Sequence, residues 1–328
     1  MKLHSMAISG LVTMNLHALN NEGAEGNTLM TRMVEIVDGE GQLRTVNAVS
    51  GDMLKHIQAE HLFLEAKHSG LPLCAGCAQF DANRIAADQK LANTVESSAA
   101  YKQAKEEGKV DSFNLKQVLQ ACVIDDCEGI LLTGWAGSKA LARKSCIEFG
   151  WAVGRPDNTR TEAYMHAKYV PEGRGTGSGS EQNLGQNIFH RPASSGQYAV
   201  VLNVDLYRVG RNDITLQYDL GPDDRKVRIR ALLKSLLYTF VKVGGAHRNT
   251  QHPHILDFSG VVTTSTGVLP SPTVSALKGE YMEEIALITK NLNVVADNEI
   301  LAATTFNGLG EYSSVMGKII NNVQPWSE

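Results

Sequence analysis

The amino-acid sequence predicts an α+β protein, and three observations carry that assignment. Short apolar segments with period-two alternation recur along the chain, two stretches with helical spacing of apolar residues separate them, and no internal repeat stands out. With 328 residues, 43% hydrophobic and 20% charged, the chain can bury a full core as one large or two modest domains. That balance excludes a disordered or collagenous polymer.

Leu3 to Met14 reads as a first strand, with Leu3, Met6, Ile8, Leu11 and Val12 mostly alternating between faces, and Asn15 to Asn27 as a polar, glycine-bearing loop. Thr31 to Val49 reads as a hairpin: Met33, Val34, Ile36 and Val37 precede the turn signal Asp38-Gly39, and Leu43, Val46 and Val49 follow it. Ser50-Gly51-Asp52 supplies cap-type residues for a helix whose apolar face is Leu54, Ile57, His61 and Leu64. Residues 67 to 121 are rich in Ala, Lys, Glu and Gln and read as a helical insertion. Strands are expected at Gly129 to Thr133, Ser145 to Val153, Gln197 to Tyr207 and Ile214 to Leu220. Between them, Glu172 to Ser180 is a glycine-rich tip, expected to be mobile unless a partner orders it. A second helix is expected from Asp224 to Val243, with Ile229, Leu232, Leu233, Leu236, Phe240 and Val243 on its apolar face, then a strand from Ile255 to Thr263. The order strand, helix, strands, helix, strand is compatible with a ferredoxin-like βαββαβ core interrupted by insertions.

A mean hydropathy of -0.17, with no apolar run near the ~20 residues that span a bilayer, argues against a membrane protein. The N-terminal residues show no apolar stretch with a secretory cleavage site, so a cytoplasmic setting is expected. A formal net charge of -4 argues against a uniformly basic nucleic-acid binder. Locally the picture differs: Arg143, Lys144, Arg155, Arg160, Arg208, Arg211, Arg225 and Arg228 crowd the middle of the chain, while Glu106-Glu107, Asp125-Asp126 and Glu283-Glu284 hold acidic charge elsewhere. A basic groove on an acidic exterior fits this distribution, because phosphate contacts depend on local charge. Lys226, Arg230, Lys234 and Lys242 share a face of the second helix, which for an isolated stripe is usually just solvated.

Five cysteines in so long a chain do not make a disulfide scaffold. Cys74-Ala75-Gly76-Cys77 has zinc-knuckle spacing, and Cys122 and Cys127 form a looser second pair. Four thiolates could close a tetrahedral site, and the alternative is that they are small buried hydrophobes, as is expected of Cys146. Ser50-Gly51-Asp52-Met53-Leu54-Lys55-His56 sets backbone N–H groups, Lys55 and His56 at a helix start, either as an anion site or as an ordinary cap with solvated flanks. His247, Arg248, His252 and His254 follow two glycines in a polar segment, either as a ligand-facing loop or as a connection steered by Pro253. The sequence has no nucleophile elbow, phosphate loop, His-Glu-x-x-His helix or dinucleotide fingerprint, so binding outweighs catalysis.

Ordered motifs resemble one family. Ser5-Met6-Ala7-Ile8-Ser9-Gly10, Leu19-Asn20-Asn21-Glu22-Gly23 to Gly26-Asn27, Val49-Ser50-Gly51-Asp52-Met53-Leu54-Lys55-His56-Ile57 and Glu60-His61-Leu62 resemble the DevR subfamily of CRISPR-associated backbone proteins of type I Cascade complexes, within the RAMP superfamily. Asn83-Arg84-Ile85, Asp125-Asp126-Cys127-Glu128-Gly129, Asn187-Ile188-Phe189-His190-Arg191-Pro192 and Gly244-Gly245-Ala246 recur in the same order. The likeness covers most of residues 1 to 260 and departs at Cys127, where an apolar residue would suit.

The resemblance implies a modified RRM-like, ferredoxin-like palm with a helical finger insertion and a β-hairpin thumb, in a single composite domain, 1–328. The palm would comprise 1–66, 122–163 and 193–265, the fingers 67–121, the thumb 164–192 and a C-terminal extension 266–328. It further implies a non-catalytic subunit that polymerises along a guide RNA (crRNA) in a helical filament of its own copies, with other Cascade subunits, supporting target DNA recognition through R-loop formation in antiviral defence. Carried onto matching positions, RNA binding falls to Asn20, Asn21, Ser50, Gly51, Asp52, Lys55, His56, His190, Arg191, His247 and Arg248. No cofactor is required for that role; a structural zinc ion on Cys74, Cys77, Cys122 and Cys127 remains open. The competing reading is a His- or metal-dependent ribonuclease of the same superfamily that processes CRISPR RNA.

Overall fold

The computed structural model describes residues 1–19, 21–169, 186–244 and 250–327. Strands β1 (Lys2–Leu3), β2 (Ser5–His17), β3 (Asn21–Glu25), β4 (Thr28–Thr31), β5 (Met33–Val37) and β6 (Leu43–Val49) precede helix α1 (Gly51–Ser69). Four helices follow, α2 (Gln89–Ser97), α3 (Ala99–Glu106), α4 (Val110–Ala121) and α5 (Val123–Glu128), then β7 (Ile130–Thr133), β8 (Ala140–Arg143) and β9 (Ile147–Phe149). The long strands β10 (Ala152–Tyr169) and β11 (Gln186–Val204) lead to α6 (Pro222–Val241) and β12 (His254–Ser265). The chain closes with α7 (Tyr281–Val295), β13 (Leu301–Asn307), α8 (Leu309–Asn322) and β14 (Gln324–Pro325), the last pairing in parallel with β1.

One sheet organises the molecule, in the order β13-β12-β2-β11-β10-β6-β5, with β9 also paired to β11. Its central neighbours are antiparallel: β2 pairs with β11 on one side and with β12 on the other. Because side chains alternate along a strand, β2 feeds two cores. Met6, Ile8, Val12 and Met14 join the large core with Leu54 and Ile57 of α1, Ile229 and Leu232 of α6 and Met316 of α8. On the opposite face Leu11 packs against a smaller cluster of Ala199, Val261, Ala276, Tyr281 and Ile285. Burial on both faces explains why apolar residues occupy both even and odd positions of β2, Leu11 among the odd and Met6, Ile8, Val12 and Met14 among the even.

At the centre, Gly10 lies directly opposite Gly260. A Cβ at Gly260 would sit 2.3 Å from the Ser9 carbonyl oxygen, and one at Gly10 2.7 Å from the Phe258 ring. The paired glycines make room for Phe258, which stacks on Phe240 at 4.5 Å and meets Phe306 and Tyr312 at 5.0 Å.

Helix α1 begins where its cap residues place it: Ser50 Oγ accepts from Met53 N at 3.2 Å. Gly70, left-handed at φ 65°, ends it. The buried stripe runs through Leu54, Gln58, Leu62 and Ala66, rotated from the expected face, so Leu64 is exposed. Gln58 Nε2 donates to Ser235 Oγ at 2.8 Å and fastens α1 to α6.

The structure corrects several expectations. β2 continues through Asn15 and Leu16 to His17, where a loop was expected, because pairing with β11 persists past a bulge at Ser194/Gly196. Ile214 to Leu220 forms no strand beyond a bridge between Arg211 and Tyr218. There, Asn212 Oδ1 accepts from Ile214 N and Nδ2 donates to Asp219, and this local bonding competes with the sheet. Ahead of the strand expected from Gly129, Asp125 to Glu128 is helical. The expected strand over Ser145 to Val153 breaks at Gly150, where a Cβ would lie 2.7 Å from Val201 Cγ2. The glycine-rich tip, Glu172 to Ser180, lies outside the described residues.

Candidate nucleic-acid interface

The first half of α1 forms one wall of a cleft of about 360 Å³, lined by Asp52, Lys55, His56, Phe80, Asp81 and Arg84 among others. It adjoins a second cleft of about 580 Å³ that shares Lys55, Ala82 and Arg84 and extends past Glu128 and Gly129 to Thr133. Together they make a continuous groove with two cationic side chains at its waist. Lys55 Nζ donates to the Glu128 carbonyl at 3.0 Å and to Ser145 Oγ at 2.9 Å. Arg84 Nη1 donates to the Gly129 carbonyl at 2.6 Å. Both cations are therefore anchored by backbone oxygens on the groove floor, which fixes their position and leaves each with further N–H groups to offer. Burial raises the Glu128 carboxyl above its usual range, opposed by Lys55 and Arg84.

The opposite wall is conformationally constrained. Phe80 and Arg84 adopt left-handed φ values of 56° and 51°, uncommon for non-glycine residues. Phe80 lies 5.7 Å from the His56 ring and 5.1 Å from Phe63, so an aromatic surface stands beside the cations.

Of the sequence-predicted set, the groove brings together Asp52, Lys55 and His56. Ser50 is buried as the helix cap, and Gly51 packs so closely that a Cβ would be 2.6 Å from the Phe149 carbonyl oxygen. His190 and Arg191 lie on β11 and line neither cleft; the His190 N–H donates to the Asn27 carbonyl at 2.8 Å. Arg191 sits over the Phe189 ring at 4.8 Å and donates to Thr250 Oγ1 at 3.3 Å. Asn21 belongs to β3, whereas Asn20, His247 and Arg248 lie outside the described residues. Arg84 was legible only as part of a family motif, and Phe80 carried no signal, because their convergence on α1 depends on the fold. A separate cleft of about 550 Å³, lined by His4, Tyr207, Arg211 and Trp326, contains none of the predicted residues.

Part of the basic centre expected from the sequence is internal, whereas Lys144 and Arg160 are exposed. Arg143 and Arg228 are buried and share Asp126, at 2.8 and 3.0 Å. Arg225 is buried against the Tyr218 ring at 3.5 Å, and Arg208 pairs with Asp213 at 2.6 Å. These charges stabilise the interior instead of facing a polyanion.

Beneath the groove, Cys74, Cys77, Cys122 and Asp125 bring their ligand atoms within 4.8 Å of one another, all four residues buried. This differs from the expected four-cysteine set. Cys122 and Asp125 are three residues apart at the start of α5 and reach the same side, whereas Cys127 is carried round the helix into a fully buried position by Asp126 and Cys146. Burial, and then Cys122, push the Asp125 carboxyl up to about 8.

The family model described as CRISPR-associated negative auto-regulator DevR/Csa2 matches residues 8–286, and the chain belongs to that family. Among curated proteins, none matches the sequence. Among solved structures, the chain is similar to one titled CRISPR RNA-guided surveillance complex, pre-nicking, at 14% identity and a TM-score of 0.48, over 97% of this chain and 99% of that one. It is similar to another titled CRISPR RNA-guided surveillance complex at 11% identity and a TM-score of 0.46, over 97% and 98%. The crystal structure of Thermofilum pendens Csc2 is similar at 14% identity and a TM-score of 0.37, over 96% and 84%. Among the described residues, no helix is long and apolar enough to cross a membrane.

Proposed function

We propose that the chain is a non-catalytic subunit that binds guide RNA and assembles, with its own copies and other Cascade subunits, into the backbone of a CRISPR surveillance complex that engages target DNA. Family membership sets the context. The observation that carries the reading is the groove in which Lys55 and Arg84, anchored on backbone oxygens, stand beside His56 and Phe80. Such a surface suits a sugar-phosphate backbone, with a ring available for stacking and no base-reading constellation. A subunit repeated along a guide of variable sequence needs that kind of contact.

The order β12-β2-β11-β9, with α1 and α6 on one face, is what an RRM-like βαββαβ palm requires, and it supports that finer description. In this reading α2, α3 and α4 are the fingers, and the ribbon of β10 and β11 carries the thumb.

The test is fluorescence anisotropy with guide-length RNA of two unrelated sequences at several salt concentrations. Arg84→Glu or His56→Glu should weaken binding about tenfold for both sequences, and Arg84→Glu should lower the salt slope by about one. Circular dichroism melts exclude misfolding as the cause. Unchanged affinity in folded variants removes the groove from RNA binding, and multiple-turnover cleavage of the RNA by the wild type refutes the non-catalytic role.

A further inference from the structure

We propose that Cys74, Cys77, Cys122 and Asp125 hold one structural zinc ion beneath the groove. All four ligand atoms lie within 4.8 Å of one another, and the Asp125 edges to Cys74 and Cys77 fit a coordination shell. Asp125 Oδ2 lies 3.4 Å from Cys74 Sγ and 3.6 Å from Cys77 Sγ. A tetrahedral zinc with Zn–S about 2.3 Å and Zn–O about 2.0 Å requires S···O edges of about 3.5 Å. Zinc, borderline-soft, accepts thiolate and carboxylate together, and a closed shell of four protein ligands is the structural rather than the catalytic type.

Further observations separate this site from a chance cluster of buried thiols. Asp125 is wholly buried, and its Oδ1 receives no hydrogen bond among the described residues, a costly arrangement unless the carboxylate faces a cation. The Cys77 N–H donates to Cys74 Sγ at 3.3 Å, the outer bond that steadies a metal thiolate. Gly76 lies so close to the Arg84 backbone that a Cβ would be 2.0 Å from the Arg84 carbonyl oxygen, so the Cys-Ala-Gly-Cys turn is built against the loop it closes. Arg84 also acts electrostatically on Asp125, offsetting the excess negative charge that three thiolates and a carboxylate leave around a dication.

The ion would clamp the segment after α1 to the start of α5 and hold Phe80 and Arg84 at the groove. That consequence rests on the RNA-binding reading; the metal site itself does not.

The test is elemental analysis of the full chain, purified without chelator from zinc-supplemented culture. About one zinc per chain is expected, lost in Cys122→Ser and retained in Cys127→Ser. Because loss of Cys122 can itself prevent folding, wild-type protein stripped of metal is also titrated with Co(II). Visible d–d bands of tetrahedral, thiolate-bound cobalt, bleached by one equivalent of zinc, are expected. Absence of both zinc and the cobalt spectrum overturns the site. Full zinc retention in a folded Cys122→Ser overturns the ligand set, and stoichiometric iron in place of zinc overturns the metal. Anisotropy with zinc-loaded protein reports RNA binding separately, so failure of one reading leaves the other measurable.

Discussion

Asp126→Ala is expected to lower the unfolding free energy by about 3–5 kcal/mol, the range for removing one partner of a buried ion pair. Asp126 is wholly buried and accepts from Arg143 Nη2 at 2.8 Å, Arg228 Nη1 at 3.0 Å and the Gly210 N–H at 3.1 Å. Its removal leaves two guanidiniums without that anion. Arg143 keeps Asp213 at 3.0 Å and the Arg208 carbonyl at 2.7 Å, whereas Arg228, among the described residues, keeps only the Leu119 and Gln120 carbonyls. Replacing Asp213, whose side chain is 20% exposed, should cost much less, about 1 kcal/mol, because water can reach the site. Urea unfolding at constant m-value reads both numbers, and equal effects for the two aspartates would show that Asp126 is not the centre of the network.

The second large effect is a pH dependence from His17. The side chain is buried at the end of β2 with its ring edge-on to Tyr198 at 5.0 Å, and neither ring nitrogen has a hydrogen-bond partner among the described residues. Burial lowers its pKa to about 4, against an ordinary value of 6.5. The sign follows from proton binding: between those values the unfolded chain takes up a proton that the folded chain refuses. Stability is therefore unaffected by this group above pH 6.5 and falls as the pH drops toward 4, by up to about 3 kcal/mol. His17→Phe keeps an aromatic ring and removes the titration. The difference in urea midpoint between wild type and variant should therefore change steeply from pH 6.5 to pH 4. Parallel profiles would mean that His17 is protonated in the native state.

Much of the scaffold was readable because it rests on local periodicity. The capped start of α1 at Ser50, the hairpin around Asp38-Gly39 and the apolar stripe of α6 need only neighbouring residues to specify them. The two-residue spacing of Cys74 and Cys77 is likewise a local feature. The fold departs from local pattern where side chains compete with the backbone or where strand pairing outlasts the alternation. Asn212 turned an apparent strand into a turn, and β11 drew Asn15 to His17 into β2.

The candidate site was less legible. Ser50, Lys55 and His56 stand together in one sequence word, yet one caps the helix, one is anchored to Glu128 and Ser145, and one faces Phe80. Arg84 joins them only because the segment after α1 folds back over the helix. The fourth residue at the cysteine cluster proved to be Asp125 rather than Cys127, a choice made by the helical turn of α5.

By itself the sequence determined the elements that rest on local periodicity, such as α1 and α6, together with the family resemblance and the separation of local from total charge. The tertiary structure decided which of those charges face solvent. Arg143 and Arg228 read from the chain as part of a basic centre, but Asp126 draws both into the interior, the latter across a separation of 102 residues. A charge stripe has the same spacing whether its partner is water, phosphate or a distant carboxylate. Only packing selects among them, by setting how much solvent each charge loses and what replaces it.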